Sequence, residues 1–154
     1  MSRTRWAAAA AALCGIVGAA AIGAGQPAGE APLTRSAVFQ WDELKPEPTR
    51  VGFVRRVVRT PTATLDELES HITTLNAGQS PHEPHQHPNE EMIILKEGEV
   101  EAWVNGEWVR VPTGGMMFFA SNVPHTVRNV SDRPATYYVV NWSTPGMKKG
   151  AGSR

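Results

Sequence analysis

Along residues 35–145 apolar positions recur at short intervals, and no stretch keeps a helical period. Leu68 to Leu75 alternates most clearly. Leu68, Ser70, Ile72 and Thr74 fall on one face, and Glu69, His71, Thr73 and Leu75 on the other. That pattern predicts a strand, and its threonines favour strand over a short helical turn around Leu65–Glu69. Val51–Thr60, Met92–Leu95, Val100–Val104, Trp108–Val111, Met116–Ala120, His125–Asn129 and Thr136–Trp142 are further short strand-like runs. Each is bounded by Gly, Pro, Asn, Asp or Ser. Asn105-Gly106 between two of them predicts a tight hairpin. Ser36–Trp41 is a short apolar run, a candidate edge strand for exchange between two copies. Leu44–Thr49, with Pro46 and Pro48, reads as a loop, and Ala77–Asn89 as a second loop rich in Pro and His. Many short strands with such turns predict an all-β sandwich or barrel.

The chain has 154 residues, enough for one domain with a modest core. Its 14 glycines and 12 prolines fit a turn-rich fold. Basic and acidic residues balance at 15 each, which leaves no basic face for nucleic acid. Arg3 and Arg5 precede an Ala/Gly-rich apolar stretch from Trp6 to about Ala24, the pattern of an export signal. A membrane-spanning helix is the competing reading of that stretch. We read residues 1–25 as a signal peptide, 26–34 as a flexible lead-in, 35–144 as the β domain and 145–154 as a disordered tail. The expected location is periplasmic or secreted, with an N-terminal anchor if the signal stays uncleaved. No stable membrane association is expected after cleavage. Cys14, the only cysteine, would leave with the signal, so neither a disulfide nor thiolate chemistry is expected in the mature domain.

The chemistry concentrates in Pro81-His82-Glu83-Pro84-His85-Gln86-His87-Pro88-Asn89-Glu90-Glu91. On an extended chain, residues two apart share a face, so His85 and His87 present their imidazoles together. Glu91 continues that parity and Glu90 does not, although a turn at Pro88-Asn89 weakens the argument. Two imidazoles and a carboxylate make half a metal site. His125, at the start of a later strand, is the candidate third imidazole. His82 breaks the parity and reads as a rim residue. His71 reads as a solvent or packing histidine unless its strand lines the interior. Gln86 and Asn129 read as structural. Trp103, Met117, Phe119, Tyr138 and Trp142 are candidates for the wall of a cavity.

These residues resemble the cupin superfamily, whose two motifs are G(X)5HXH(X)3,4E(X)6G and G(X)5PXG(X)2H(X)3N. His85, His87, Glu91 and Gly98 fit the first, while six residues rather than five separate Gly78 from His85. Gly106, Pro112 and Gly114 fit the start of the second, and His125 and Asn129 its end, with a longer gap of ten residues between Gly114 and His125. The resemblance implies a single-domain jelly-roll barrel, or double-stranded β-helix. It also implies one divalent transition metal held by His85, His87, Glu91 and His125. Fe or Mn is favoured, with Zn, Ni or Cu as the other options. Small cupins imply a metal-dependent enzyme, dioxygenase-like, acting on a small organic molecule. The alternative is a non-catalytic periplasmic or extracellular protein that binds a small ligand or metal. A homodimer is compatible with the family.

Overall fold

The computed structural model describes residues 32–147. The expected signal peptide, most of the lead-in and most of the tail therefore lie outside the described residues. Nine strands follow in order: β1 (Glu47–Thr49), β2 (Gly52–Thr60), β3 (Glu67–Leu75), β4 (Glu90–Glu97), β5 (Glu99–Val104), β6 (Glu107–Pro112), β7 (Met116–Phe119), β8 (Thr126–Asn129) and β9 (Ala135–Ser143). They form a six-stranded sheet in the order β1-β2-β3-β9-β4-β7 and a three-stranded sheet in the order β6-β5-β8. Every pairing between them is antiparallel. No continuous ladder joins the two sheets among the described residues, so the jelly-roll barrel stays open along its seam.

The alternation of β3 explains which face became the interior. Glu69, His71, Thr73 and Leu75 lie opposite Asn141, Val139, Tyr137 and Ala135 of β9. Across β9, the residues Asn141, Val139 and Tyr137 lie opposite Glu91, Ile93 and Leu95 of β4. The inner face is thus a set of parallel rows, apolar at one end and polar at the other. Leu75, Leu95, Val100, Ala102 and Ala135 are fully or almost fully buried at the apolar end. Glu69, Asn141 and Glu91 form the polar row. This gradient sets a polar, chargeable end of the interior against a hydrophobic base.

The Asn105-Gly106 hairpin forms as expected between β5 and β6, with both residues at positive φ, 51° and 90°. Gly98 turns β4 into β5 at φ 90°, where an added Cβ would stand 2.8 Å from the Ala135 backbone. Only glycine fits that crossing without strain.

One expectation at the N-terminal side is corrected. Within the single chain Ser36–Trp41 lies outside the strands, with Val38 79% exposed and Phe39 and Trp41 exposed with it. The strand forms instead within Leu44–Thr49, read as a loop because of its prolines. As an edge strand, β1 tolerates Pro48 because its outer side has no ladder to supply. The turn near Leu65 is closed by Thr62, whose hydroxyl accepts from the Leu65 amide at 3.1 Å, and β3 begins immediately afterwards. Among the described residues, no helix is long and apolar enough to cross a membrane.

Candidate metal centre

Ala77–Asn89 cannot enter a sheet as an interior strand, because Pro81, Pro84 and Pro88 lack backbone donors. The loop is instead laced onto residues 122–129. The Asn129 amide donates to the Gln79 carbonyl at 2.9 Å, and the Asn122 amide to the His87 carbonyl at 2.8 Å. The Ser80 hydroxyl donates to the Val127 carbonyl, and the Thr126 hydroxyl to the His82 carbonyl, each at 2.9 Å. His85 and His125 exchange both backbone hydrogen bonds in an antiparallel bridge. Two segments far apart in sequence thereby deliver their histidines to one point.

At that point one ligand atom from each of His85, His87 and His125 lies within 4.8 Å of the others, a group that could hold a metal ion. Glu91 completes the cluster: its carboxylate is 3.7 Å from His87 Nε2 and 3.9 Å from His125 Nε2. Donors side by side around one ion, at bonds of about 2.1 Å, stand about 3 Å apart. The three imidazoles would therefore draw inward around a bound ion.

The donor chemistry fits a cation. The His87 ring Nδ1 lies 2.9 Å from the Asn89 carbonyl oxygen, and the His125 Nδ1 lies 2.8 Å from the Val123 carbonyl oxygen. A carbonyl only accepts, so each Nδ1 carries the hydrogen, and in the neutral rings each Nε2 keeps its lone pair for a cation. The His125 Nε2 is buried and has no hydrogen-bond partner. Such an atom normally demands one. Phe119 stacks on the His125 ring at 4.4 Å and fixes its plane. Burial, followed by the neighbouring histidines 82, 125 and 87, pushes the His85 imidazole down to about 4, so it stays neutral over the physiological range. Neutral imidazole is the form that ligates.

The cluster opens on a cavity of about 320 Å³. Ile93, Phe119, Val127, Tyr137 and Val139 supply apolar wall, while His71, Thr73 and Asn141 add polar groups. Burial raises the Tyr137 phenol well above its ordinary value, against a hydrogen bond from Thr73, so its hydroxyl stays protonated.

The structure brings together all four residues singled out in the sequence. Glu90 faces away, accepting a hydrogen bond from Trp142 Nε1 at 2.9 Å. Gln86 is exposed. Asn129 is structural: its amide nitrogen donates to the carbonyls of Leu75, Asn76 and Arg133, and its oxygen accepts from Ser131. His82 lines the cavity, its ring 4.0 Å from that of His85, but stands outside the ligand group. The expected wall is corrected. Of the five candidates only Phe119 lines the cavity. Trp103 packs on Trp108, and Trp142 stacks on Phe118. Tyr138 has the opposite parity to Tyr137, and Met117 joins the core. Strand β9 is apolar at successive positions, so its sequence gave no parity to choose from.

Residues 71–141 match the family model described as a cupin domain. These residues form a cupin domain. Solved structures agree with this cupin in fold. A Cupin 2 conserved barrel domain protein from Salinispora arenicola is 20% identical, covering 76% of this chain and 96% of its own, at a TM-score of 0.58. The Cnp3 cupin domain of Schizosaccharomyces pombe is 14% identical, covering 78% and 83%, at 0.60. A cupin-superfamily sugar phosphate isomerase from Silicibacter pomeroyi is 19% identical, covering 71% and 77%, at 0.55. No curated protein matches the sequence.

Proposed function

We propose that this cupin is a metal-dependent enzyme for a small organic molecule, with His85, His87, Glu91 and His125 as ligands of one divalent transition metal. The observation that carries the reading is the buried, unpartnered His125 Nε2, whose lone pair is fixed towards Glu91 and the other imidazoles. Three imidazoles and a carboxylate suit Fe or Mn, and also accept Zn, Ni or Cu. A bound metal there supplies Lewis acidity or redox chemistry beside the cavity.

The chain's own groups define what the cavity takes. At about 320 Å³ it lies at the small end of ligand pockets. Apolar side chains meet the flat of a ligand, and Tyr137 stays protonated among them. Such a cavity suits a compact molecule with oxygen donors at one end and a planar or apolar body. Dioxygenase-like chemistry is the form we favour. The sugar phosphate isomerase among the similar structures shows that the fold also hosts chemistry without oxygen.

The export expectation rests on Arg3, Arg5 and the apolar stretch that follows, and we retain it as a proposal. The test of catalysis is oxygen uptake and product formation by metal-loaded protein given a panel of catechols and 2-hydroxy acids. Turnover lost in His87→Ala supports the enzyme. Stoichiometric metal and tight ligand binding without turnover of any panel member would favour the non-catalytic binding protein instead.

A further inference from the structure

The inner row of β3 holds a pair that the metal cluster does not use. His71 Nδ1 lies 2.8 Å from Glu69 Oε1. A carboxylate only accepts, so Nδ1 carries the hydrogen, and in the neutral ring Nε2 keeps the lone pair. Glu69 is itself held: its other oxygen accepts from Asn141 Nδ2 at 2.9 Å. Burial raises the Glu69 carboxyl, but the hydrogen bonds from His71 and Asn141 and the Arg59 charge outweigh it, so the group lies below its ordinary value. The side chain is ionised at neutral pH and able to balance a charge on His71.

Position turns this pair towards chemistry. His71 lines the cavity of the histidine cluster together with His85, His87, Glu91 and His125. It also lines an adjoining, more open cavity of about 390 Å³ that contains Arg56, Arg59, Glu67, Glu69 and Asn89. His71, His87 and Asn141 are common to both cavities, so His71 borders both. The charged groups around it are accounted for. Arg56, opposite it on β2, pairs with Glu47, and Arg59 pairs with Glu67. Asn141 lies opposite both Glu69 and Glu91, between the pair and the cluster. The His71 Nε2 has no hydrogen-bond partner among the described residues, and its side chain keeps 26% of its surface exposed.

We propose that His71 is a catalytic base of this cavity, taking a proton from an ionisable hydroxyl of the substrate, and that Glu69 is its positioning residue. The inference deepens the proposed function and rests on it, because the substrate occupies the same cavity. In the step, the substrate O–H bond breaks and its electron pair stays on oxygen. The proton binds Nε2, and the resulting imidazolium is balanced by the Glu69 carboxylate. The substrate class is therefore a small molecule with an acidic hydroxyl, such as a phenol, an enol or a 2-hydroxy acid.

Two measurements on the full chain test this. The first is long-range ¹H–¹⁵N correlation of the His71 ring in the metal-free protein. The Nδ1–H tautomer is expected in the wild type, and its loss in Glu69→Gln. An Nε2–H tautomer in the wild type would overturn the proposal. The second is calorimetric titration of metal-loaded protein with 4-nitrocatechol in buffers of different ionisation enthalpy, near pH 7.5. His71→Asn should release about one more proton to buffer per bound probe than wild type, at unchanged metal content. Equal proton release, or loss of metal in His71→Asn, overturns the role of base. Metal-loaded wild type that binds no probe overturns this inference alone. Wild type that takes no metal overturns the reading beneath it, and this inference with it.

Discussion

His85 and His125 are joined by two backbone hydrogen bonds, 3.1 Å and 2.9 Å long, while their rings stand 4.8 Å apart. The main chain, not the side chains, therefore sets the separation of two imidazoles that are 40 residues apart in sequence. His125→Ala should keep the bridge, lose the metal and still fold. Loss of the buried ring against Phe119 should cost about 1–3 kcal/mol of stability. Metal content and urea denaturation on the same preparation check both parts.

Glu91 and Glu90 are adjacent but face opposite ways. Glu91→Gln keeps the shape and removes the charge beside His87 and His125, so metal affinity should fall at least about tenfold. Glu90→Gln removes only an acceptor for Trp142 Nε1 and should leave metal affinity unchanged. Competition against a chromogenic chelator measures both variants.

That discrimination was legible in the sequence in two ways: parity from His85 and His87 favours Glu91, weakened by the turn at Pro88-Asn89, and the cupin motif spacing selects it independently. Strands β2 to β9 were legible because each is a short run closed by turn residues, whereas the prolines in and beside β1 hid it. His71 was harder. Its alternation with Glu69 was visible, but which face of β3 pointed inward depends on β9, whose run of Ala135–Ser143 is apolar on both faces. The same ambiguity misplaced Tyr138 and Trp142 on the cavity wall. The loop lacing that joins His85 to His125 leaves no signal in a single sequence, because backbone groups make it.

Asn129 satisfies carbonyls on both sides of the β3 exit and the loop after β8. Asn129→Ala strands these buried groups and should destabilise the fold by about 2–4 kcal/mol. The shift in urea midpoint, at constant m-value, is the readout.

Acid should weaken the fold through Glu69. Its folded carboxyl lies below the unfolded value, so its stabilisation is fully present above that unfolded value. It is lost as pH falls through the folded one. Metal-free wild type should therefore lose more stability on acidification below about pH 4.5 than Glu69→Gln does. Parallel stability curves for the two proteins would remove the Glu69–His71–Asn141 chain as a source of stability.

The most direct test of the account is the metal content of the purified full chain, by elemental analysis, for wild type and His125→Ala side by side. The account predicts close to one transition-metal ion per wild-type chain and almost none in the variant. A wild-type chain that holds no metal, even after incubation with Fe(II), Mn(II) and Zn(II), would contradict it.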